Sequence, residues 1–143
     1  MEGLLLKRVS NDAVIPEGVN DSPSRRQNGL KFCAGITMAL PPRSLTIVPT
    51  GWEIRLPDFC FGRIRLYNPS LTLLHRELEE QYFGPLQIAV ENTSDETAYV
   101  IEGHPLFLLT VLSCRPMQFT VIDDFLNPNV VPDSTVNVDE PQI

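Results

Sequence analysis

The stretch "GPLQIAVENTSDETAYVIEGHPLFLLTVL" (residues 84–112) decides the fold. "LQIAVEN" alternates apolar and polar side chains, the period of two that turns one face of a strand inward. "TSDE" reads as a turn, "AYVIE" as a second strand and "GH" as a second turn. "PLFLLTVL" is almost wholly apolar, as a strand buried on both faces would be. Short strands with turns this close together belong to antiparallel β architecture.

Upstream, "SLTIVPTGWEIRL" (44–56) alternates again, with Leu45, Ile47, Trp52, Ile54 and Leu56 apolar and Thr46, Glu53 and Arg55 between them. Pro49 and Gly51 interrupt the run, which reads as two strands or one bent strand. Trp52, the only tryptophan, is expected in the core. "FCFGRIRLY" (59–67) is a further strand, with Gly62 marking a bulge or a close approach. "LKFCAGITMAL" (30–40) is strand-like and broken near Gly35, and "PPR" (41–43) forces a corner. "LLLKRVS" (4–10) suits a first strand, and the polar stretch 11–29 reads as a long loop, mobile near residues 22–26.

"SLTLLHRELEEQY" (70–82) is the one segment with helical colouring. Leu71, Leu74 and Leu78 follow i, i+3, i+7, so a short helix is expected, the other reading being a strand leading into a charged loop. "MQFTVID" (117–123) is another strand. The sum is an all-β jelly roll or β-sandwich with at most one short helix. Residues 1–126 are expected to form that domain, and 127–143 a flexible acidic C-terminal tail.

The length of 143 residues suits one domain, and a hydrophobic share of 43% is enough for a core. A formal net charge of −7 argues against non-specific binding of nucleic acid, which takes a basic face. Cys33, Cys60 and Cys114 form no CxxC pair and no zinc pattern with His75 and His104, and read as reduced, mostly buried thiols. No apolar run approaches membrane-spanning length and no signal segment is visible, so an intracellular protein without membrane insertion is expected. Asn20 and Asn92 head N-x-S/T triplets, which carry no weight without a secretion signal.

A series of landmarks follows in order: "LKRVSNDAVIPEG", "LPP" (40–42), "VPTG" (48–51), "LP" (56–57), "FGRI" (61–64), "YFG" (82–84), "EN" (91–92) and "YVIEG" (99–103). This succession resembles the trimeric dUTP pyrophosphatase (dUTPase) family, a β jelly roll, over residues 4–125. The resemblance implies chemistry in five motifs. In the first, Lys31 stands where the family has an acid that helps to hold magnesium. In the second, Tyr67, Asn68 and Pro69 replace an Arg, Ser and Gly that hold phosphates, while Arg63 and Arg65 remain nearby. In the third, "RELEEQYFG" (76–84) keeps Tyr82 and Gly84, has Arg76 for the first glycine, and puts Glu79 where an Asp orients the attacking water. In the fourth, His104 and Pro105 replace an Asp and an Arg. The fifth, a glycine-rich arm, has no counterpart, because the chain after Arg115 contains no glycine.

The retained landmarks are corners and core positions, and the altered ones are chemical. The sequence therefore leads to the expectation of a scaffold kept without its enzyme. The particular resemblance is to adenovirus early-region dUTPase-like proteins, implying a non-enzymatic viral adaptor that binds host proteins, without a cofactor or bound metal, in the host cytoplasm or nucleus. On that reading Lys31, Tyr67, Asn68, Glu79, Tyr82 and His104 are vestigial motif positions. The candidate partner-binding residues are Pro141, Gln142 and Ile143, although Pro141 lacks the N–H that strand addition to a PDZ domain uses. The alternatives are a divergent dUTP pyrophosphatase hydrolysing dUTP to dUMP and diphosphate, and a structural jelly-roll module. The resemblance also implies a homotrimer. "FTVIDDF" (119–125) is either a strand exchanged between subunits or a local edge strand.

Overall fold

The computed structural model describes residues 3–19, 29–114, 117–126 and 130–138. Among these residues the regular structure is all strand, with no helix, hence none long and apolar enough to cross a membrane. The chain divides into two compact units, Met1–Ser113 and Cys114–Ile143.

In the first unit β5 (Leu45–Arg55) and β9 (Phe83–Asn92) pair antiparallel at the centre of a four-stranded sheet. β1 (Leu5–Arg8) lies beside β5, and β7 (Leu71–Leu73) beside β9. A five-stranded sheet runs in the order β2 (Glu17–Val19), β3 (Gly29–Cys33), β11 (Pro105–Ser113), β6 (Cys60–Leu66), β8 (Glu77–Leu78). β4 (Met38–Leu40) and β10 (Ala98–Val100) form a two-stranded ribbon. The second unit is a ribbon of β12 (Met117–Ile122) and β13 (Val130–Val138).

The expected all-β architecture is what the chain adopts. Val48, Trp52 and Ile54 from β5, with Leu86, Ile88 and Val90 from β9, belong to the same buried cluster as Phe32, Ile64, Phe107 and Leu109 from the five-stranded sheet. Phe32 and Phe107 stack with ring centroids 5.5 Å apart, a geometry that adds to the simple burial of two large side chains. Trp52 is buried as expected, and its indole N–H donates to the Val14 carbonyl at 3.0 Å.

Several expectations fail for local reasons. β5 is one continuous strand whose even-numbered residues face inward, so Leu45 and Ile47 point out and are exposed. Thr50 holds that phase through the Pro-Thr-Gly interruption: its buried hydroxyl donates to the Leu86 carbonyl at 2.7 Å and accepts from the Trp52 N–H at 3.3 Å. Gly51 supplies the positive φ of 85° that this interruption takes, and a Cβ there would stand 2.9 Å from the Ala13 Cβ. Gly62 is a site of close approach and not a bulge. The β6–β11 register runs through it without a shift, and an added Cβ would stand 2.8 Å from Leu109 Cδ1.

The helix expected within 70–82 is absent. Leu71 and Leu78 are buried on two different short strands while Leu74 is exposed, so pairing with β9 and β6 overrides the helical spacing. Glu17–Val19, expected as loop, pairs with β3. Residues 22–26, expected as its mobile part, lie outside the described residues. The division at Ser113 falls earlier than the expected boundary at 126, and part of the expected tail is the strand β13. The segment Phe119–Ile122 pairs within its own chain. Cys33 and Cys60 are free thiols, and all three cysteines are only half-buried.

Asn92, fully buried at 0% exposure, closes the end of β9. Its amide nitrogen donates to the carbonyls of Leu40 (2.9 Å), Pro41 (3.3 Å) and Glu96 (2.8 Å). Its amide oxygen accepts from the Ser94 N–H at 3.1 Å and the Ser94 hydroxyl at 2.7 Å. One side chain thus ties the Pro-Pro corner to the 93–96 turn, and this burial leaves the Asn92 amide no opening for glycosylation. Asn92→Ala would strand these buried groups and is expected to lower stability by about 3 kcal/mol, read as a fall in the urea midpoint. An unchanged midpoint would show that the corner is held by other contacts.

Candidate functional site

The turn between β8 and β9 carries the chain from the five-stranded sheet to the four-stranded one. The Tyr82 N–H donates to the Glu79 carbonyl at 3.0 Å, and Gln81 takes a positive φ of 63° to close the turn. The Leu56 N–H donates to the Tyr82 carbonyl at 2.9 Å, docking the turn on the end of β5. The Tyr82 hydroxyl donates to the Pro85 carbonyl at 2.6 Å, so the ring is fixed at both ends. Burial raises its pKa above the ordinary tyrosine value.

Glu79 and Tyr82 line a groove of about 460 Å³, together with Ile47, Ile64, His75, Glu77, Gln87 and their neighbours on β8 and β9. The outward turn of Ile47 is what places it there. An adjoining groove of about 670 Å³ shares Ile64, His75 and Glu77 and adds Arg63, Arg65, Leu74 and Arg76. The Ile64 N–H donates to the Arg76 carbonyl at 2.7 Å, which holds Arg76 against the edge of β6 between the other two arginines. One end of this paired hollow offers a tyrosine, a glutamine and apolar walls. The other end offers three cations.

The remaining motif positions collect elsewhere. Glu17, Lys31, Leu108 and Arg65 stand in register across β2, β3, β11 and β6. Lys31 Nζ lies 3.0 Å from a Glu17 carboxylate oxygen, which raises the ammonium pKa, with Tyr67 and Cys33 adding to it. Burial pushes the Cys33 thiol up, partly offset by Lys31. Tyr67 follows β6, exposed, with its N–H donating to the Leu106 carbonyl at 3.2 Å. The Asn68 side-chain oxygen accepts from the Ser70 N–H at 2.8 Å, so it serves its own turn. Asn68 and His104 line a hollow of about 160 Å³ with Ala34 and Tyr99, which shares no residue with the Tyr82 groove. His104 is a turn residue: its N–H donates to the Ile101 carbonyl and its carbonyl accepts from the Ala34 N–H, both at 3.0 Å.

The structure therefore joins Glu79 with Tyr82, and Asn68 with His104, in separate hollows. Pro141, Gln142 and Ile143 lie outside the described residues. Sequence reasoning missed His75 and Gln87 as groove residues, because strand pairing and not spacing brings them together.

A magnesium ion is implied by the family resemblance, but the donor set does not fit one. The position of the metal-holding acid carries Lys31, already paired to Glu17, and no group of three or more His, Cys, Asp or Glu among the described residues could hold a metal.

An antiparallel β-sandwich with this turn and groove is the dUTPase type of fold. Solved structures agree: the Staphylococcus bacteriophage 80alpha dUTPase matches 86% of this chain and 97% of its own at 15% identity and a TM-score of 0.67. The dUTPase of S. aureus phage phi11, described with a structural Mg(II) ion, matches 88% of this chain and all of its own at 15% identity and a TM-score of 0.67. Among curated proteins, the deoxyuridine 5'-triphosphate nucleotidohydrolase of Hahella chejuensis is 23% identical over 132 residues, 85% of this chain and 84% of that protein. The enzyme of the same name from Enterobacter sp. is 23% identical over 104 residues, 67% of this chain and 68% of its own. No family model matches the chain.

These likenesses overturn the expectation of a non-enzymatic adenovirus-type adaptor, and with it the description as a viral pseudoenzyme. The relatives found by sequence and by structure are dUTP nucleotidohydrolases.

In a spectrophotometric alkaline titration, Tyr82 is expected to ionise above the ordinary tyrosine value, and Tyr82→Phe to remove that late step. Because its folded pKa is raised, Tyr82 contributes stability that is present below the ordinary tyrosine pKa and lost as pH rises through the raised one. A wild-type curve with no late step would show the ring to be solvated.

Proposed function

We propose that this chain is a divergent dUTP nucleotidohydrolase that cleaves dUTP to dUMP and diphosphate. The observation that carries the reading is the alignment with the Hahella chejuensis enzyme, which spans 85% of this chain and 84% of that protein. The turn around Tyr82 supports it, since Tyr82 of the retained Tyr-Phe-Gly lines a groove large enough for a nucleoside.

In this reading the nucleoside lies against Tyr82 between β8 and β9. Water attacks the α-phosphorus, the bond from that phosphorus to the α–β bridging oxygen breaks, and diphosphate leaves. The Glu79 carboxylate, on the same groove, accepts the proton of the attacking water. Lys31, Tyr67, Asn68 and His104 differ in type from the family's residues and supply no comparable grip. The hollow lined by Asn68 and His104 lies apart from the Tyr82 groove in one chain, as a site completed by another copy requires, and the assembly proposed is a homotrimer.

Diphosphate release from dUTP, but not from dCTP or dTTP, is the expected result, with Glu79→Gln slowing it by about 100-fold or more while an imido analogue of dUTP still binds. Light scattering is expected to give three chains of 16.1 kDa each. The reading is wrong if dUTP is not turned over with or without magnesium and the imido analogue fails to raise the melting temperature.

A further inference from the structure

Arginine and lysine side chains on a protein of net charge −7 ordinarily find carboxylates. Most of the described ones do find partners. Lys7 pairs with Glu53, Lys31 with Glu17, Arg43 with Asp95 and Arg63 with Glu77. Arg8 stands over Trp52 and Arg55 over Phe83. Among the described residues, Arg65 and Arg76 alone of the lysines and arginines have neither an ion-pair nor an aromatic partner. These two line the same groove of about 670 Å³. They also share the wall of a smaller hollow of about 280 Å³ beside it.

The third cation of the groove, Arg63, stands 6.0 Å from the Phe61 ring centroid and is loosely held. Its pair with Glu77 is 3.8 Å long, with both side chains more than half exposed, so it is free to exchange that carboxylate for a stronger anion. The backbone explains why the three converge. Arg63 and Arg65 are alternate residues of β6 and so project from one face of that strand, and the bond from the Ile64 N–H to the Arg76 carbonyl sets Arg76 opposite the residue between them. With one carboxylate, Glu77, among three guanidinium groups the groove keeps an excess of positive charge, and a polyanion neutralises that excess through forked, charge-assisted hydrogen bonds.

We propose that Arg63, Arg65 and Arg76 form a phosphate-chain clamp, taking a di- or triphosphate group without a divalent metal. This rests on the nucleotidohydrolase reading for the identity of the nucleoside but not for the clamp itself. The clamp adjoins the Tyr82 groove through Ile64, His75 and Glu77, so a nucleotide with its base at Tyr82 would extend its phosphates toward the arginines. It also answers the altered second motif: Tyr67 and Asn68 stand where the resemblance expects phosphate-holding residues, and Arg63 and Arg65 of β6 with Arg76 supply the positive charge in their place. Lys31 is committed to Glu17 at 3.0 Å and takes no part.

The test is isothermal titration of the full chain with sodium tripolyphosphate, imido-dUTP and dUMP in EDTA-containing buffer. Tripolyphosphate is expected to bind without metal and to weaken steeply with added salt. Arg65→Gln combined with Arg76→Gln is expected to weaken it about tenfold or more, while Arg43→Gln, an exposed arginine away from the groove, leaves it unchanged. The three sites are exposed, and circular dichroism confirms that each variant folds. Absence of tripolyphosphate binding, or equal binding by the double variant, overturns the clamp. If imido-dUTP binds the double variant and the wild type equally, the clamp fails while the nucleotide reading stands. If tripolyphosphate binds and is lost in the double variant but imido-dUTP gains nothing over it and dUMP does not bind, the clamp stands and the deoxyuridine reading fails.

Discussion

The antiparallel pairing of β5 with β9 is the constraint on which the rest depends. It turns Val48, Trp52 and Ile54 to the same side as Leu86, Ile88 and Val90, making one wall of the core. Burying a wall of that kind requires a second apolar layer, which Phe32, Phe107, Leu109 and Ile64 of the five-stranded sheet provide. The pairing survives the Pro-Thr-Gly interruption in β5 because Thr50 bridges to the Leu86 carbonyl and Gly51 absorbs the irregular backbone. Asn92 then closes the far end of β9 against the Pro-Pro corner.

The candidate site is a by-product of that layering. The chain leaves β8 in one sheet and enters β9 in the other, and the turn it makes carries Glu79 and Tyr82. Because Tyr82 is held by backbone bonds to Leu56 and by its own hydroxyl to Pro85, the groove beside it is set by the core and not by a free loop. Its inner wall is the buried Ile64, and its outer rim is charged. A hollow with an apolar, hydrogen-bonding end and a cationic end is matched in polarity to a nucleotide, whose base and phosphates differ in the same sense.

The departures from the enzymes' residue pattern remain as structural facts. Lys31 is locked to a glutamate on the neighbouring strand, Asn68 is used up in its own turn, and His104 spans a corner through its backbone. The side chains of Lys31 and Asn68 are therefore already engaged within the chain. The side chains of Arg65 and Arg76 have no ion-pair or aromatic partner among the described residues.

Alternation and corner residues in the sequence were enough to determine the all-β class, the strands β5, β6, β9 and β11, the burial of Trp52 and a turn at Gly103–His104, since strand period and turn chemistry are local properties. They did not determine the phase of Leu45 and Ile47, because a phase carried across Pro-Thr-Gly depends on Thr50 reaching a neighbouring strand. The segment 70–82 misled for a related reason. Three leucines spaced as on a helix serve instead two short strands and one exposed position, a choice made by the sheet edges available for pairing. Glu79 and Tyr82 were legible as a motif, whereas His75, Gln87 and the arginine pair were not. Those residues meet only because β5, β6, β8 and β9 converge around Ile64, and convergence of non-local strands is written in tertiary packing and not in spacing along the chain.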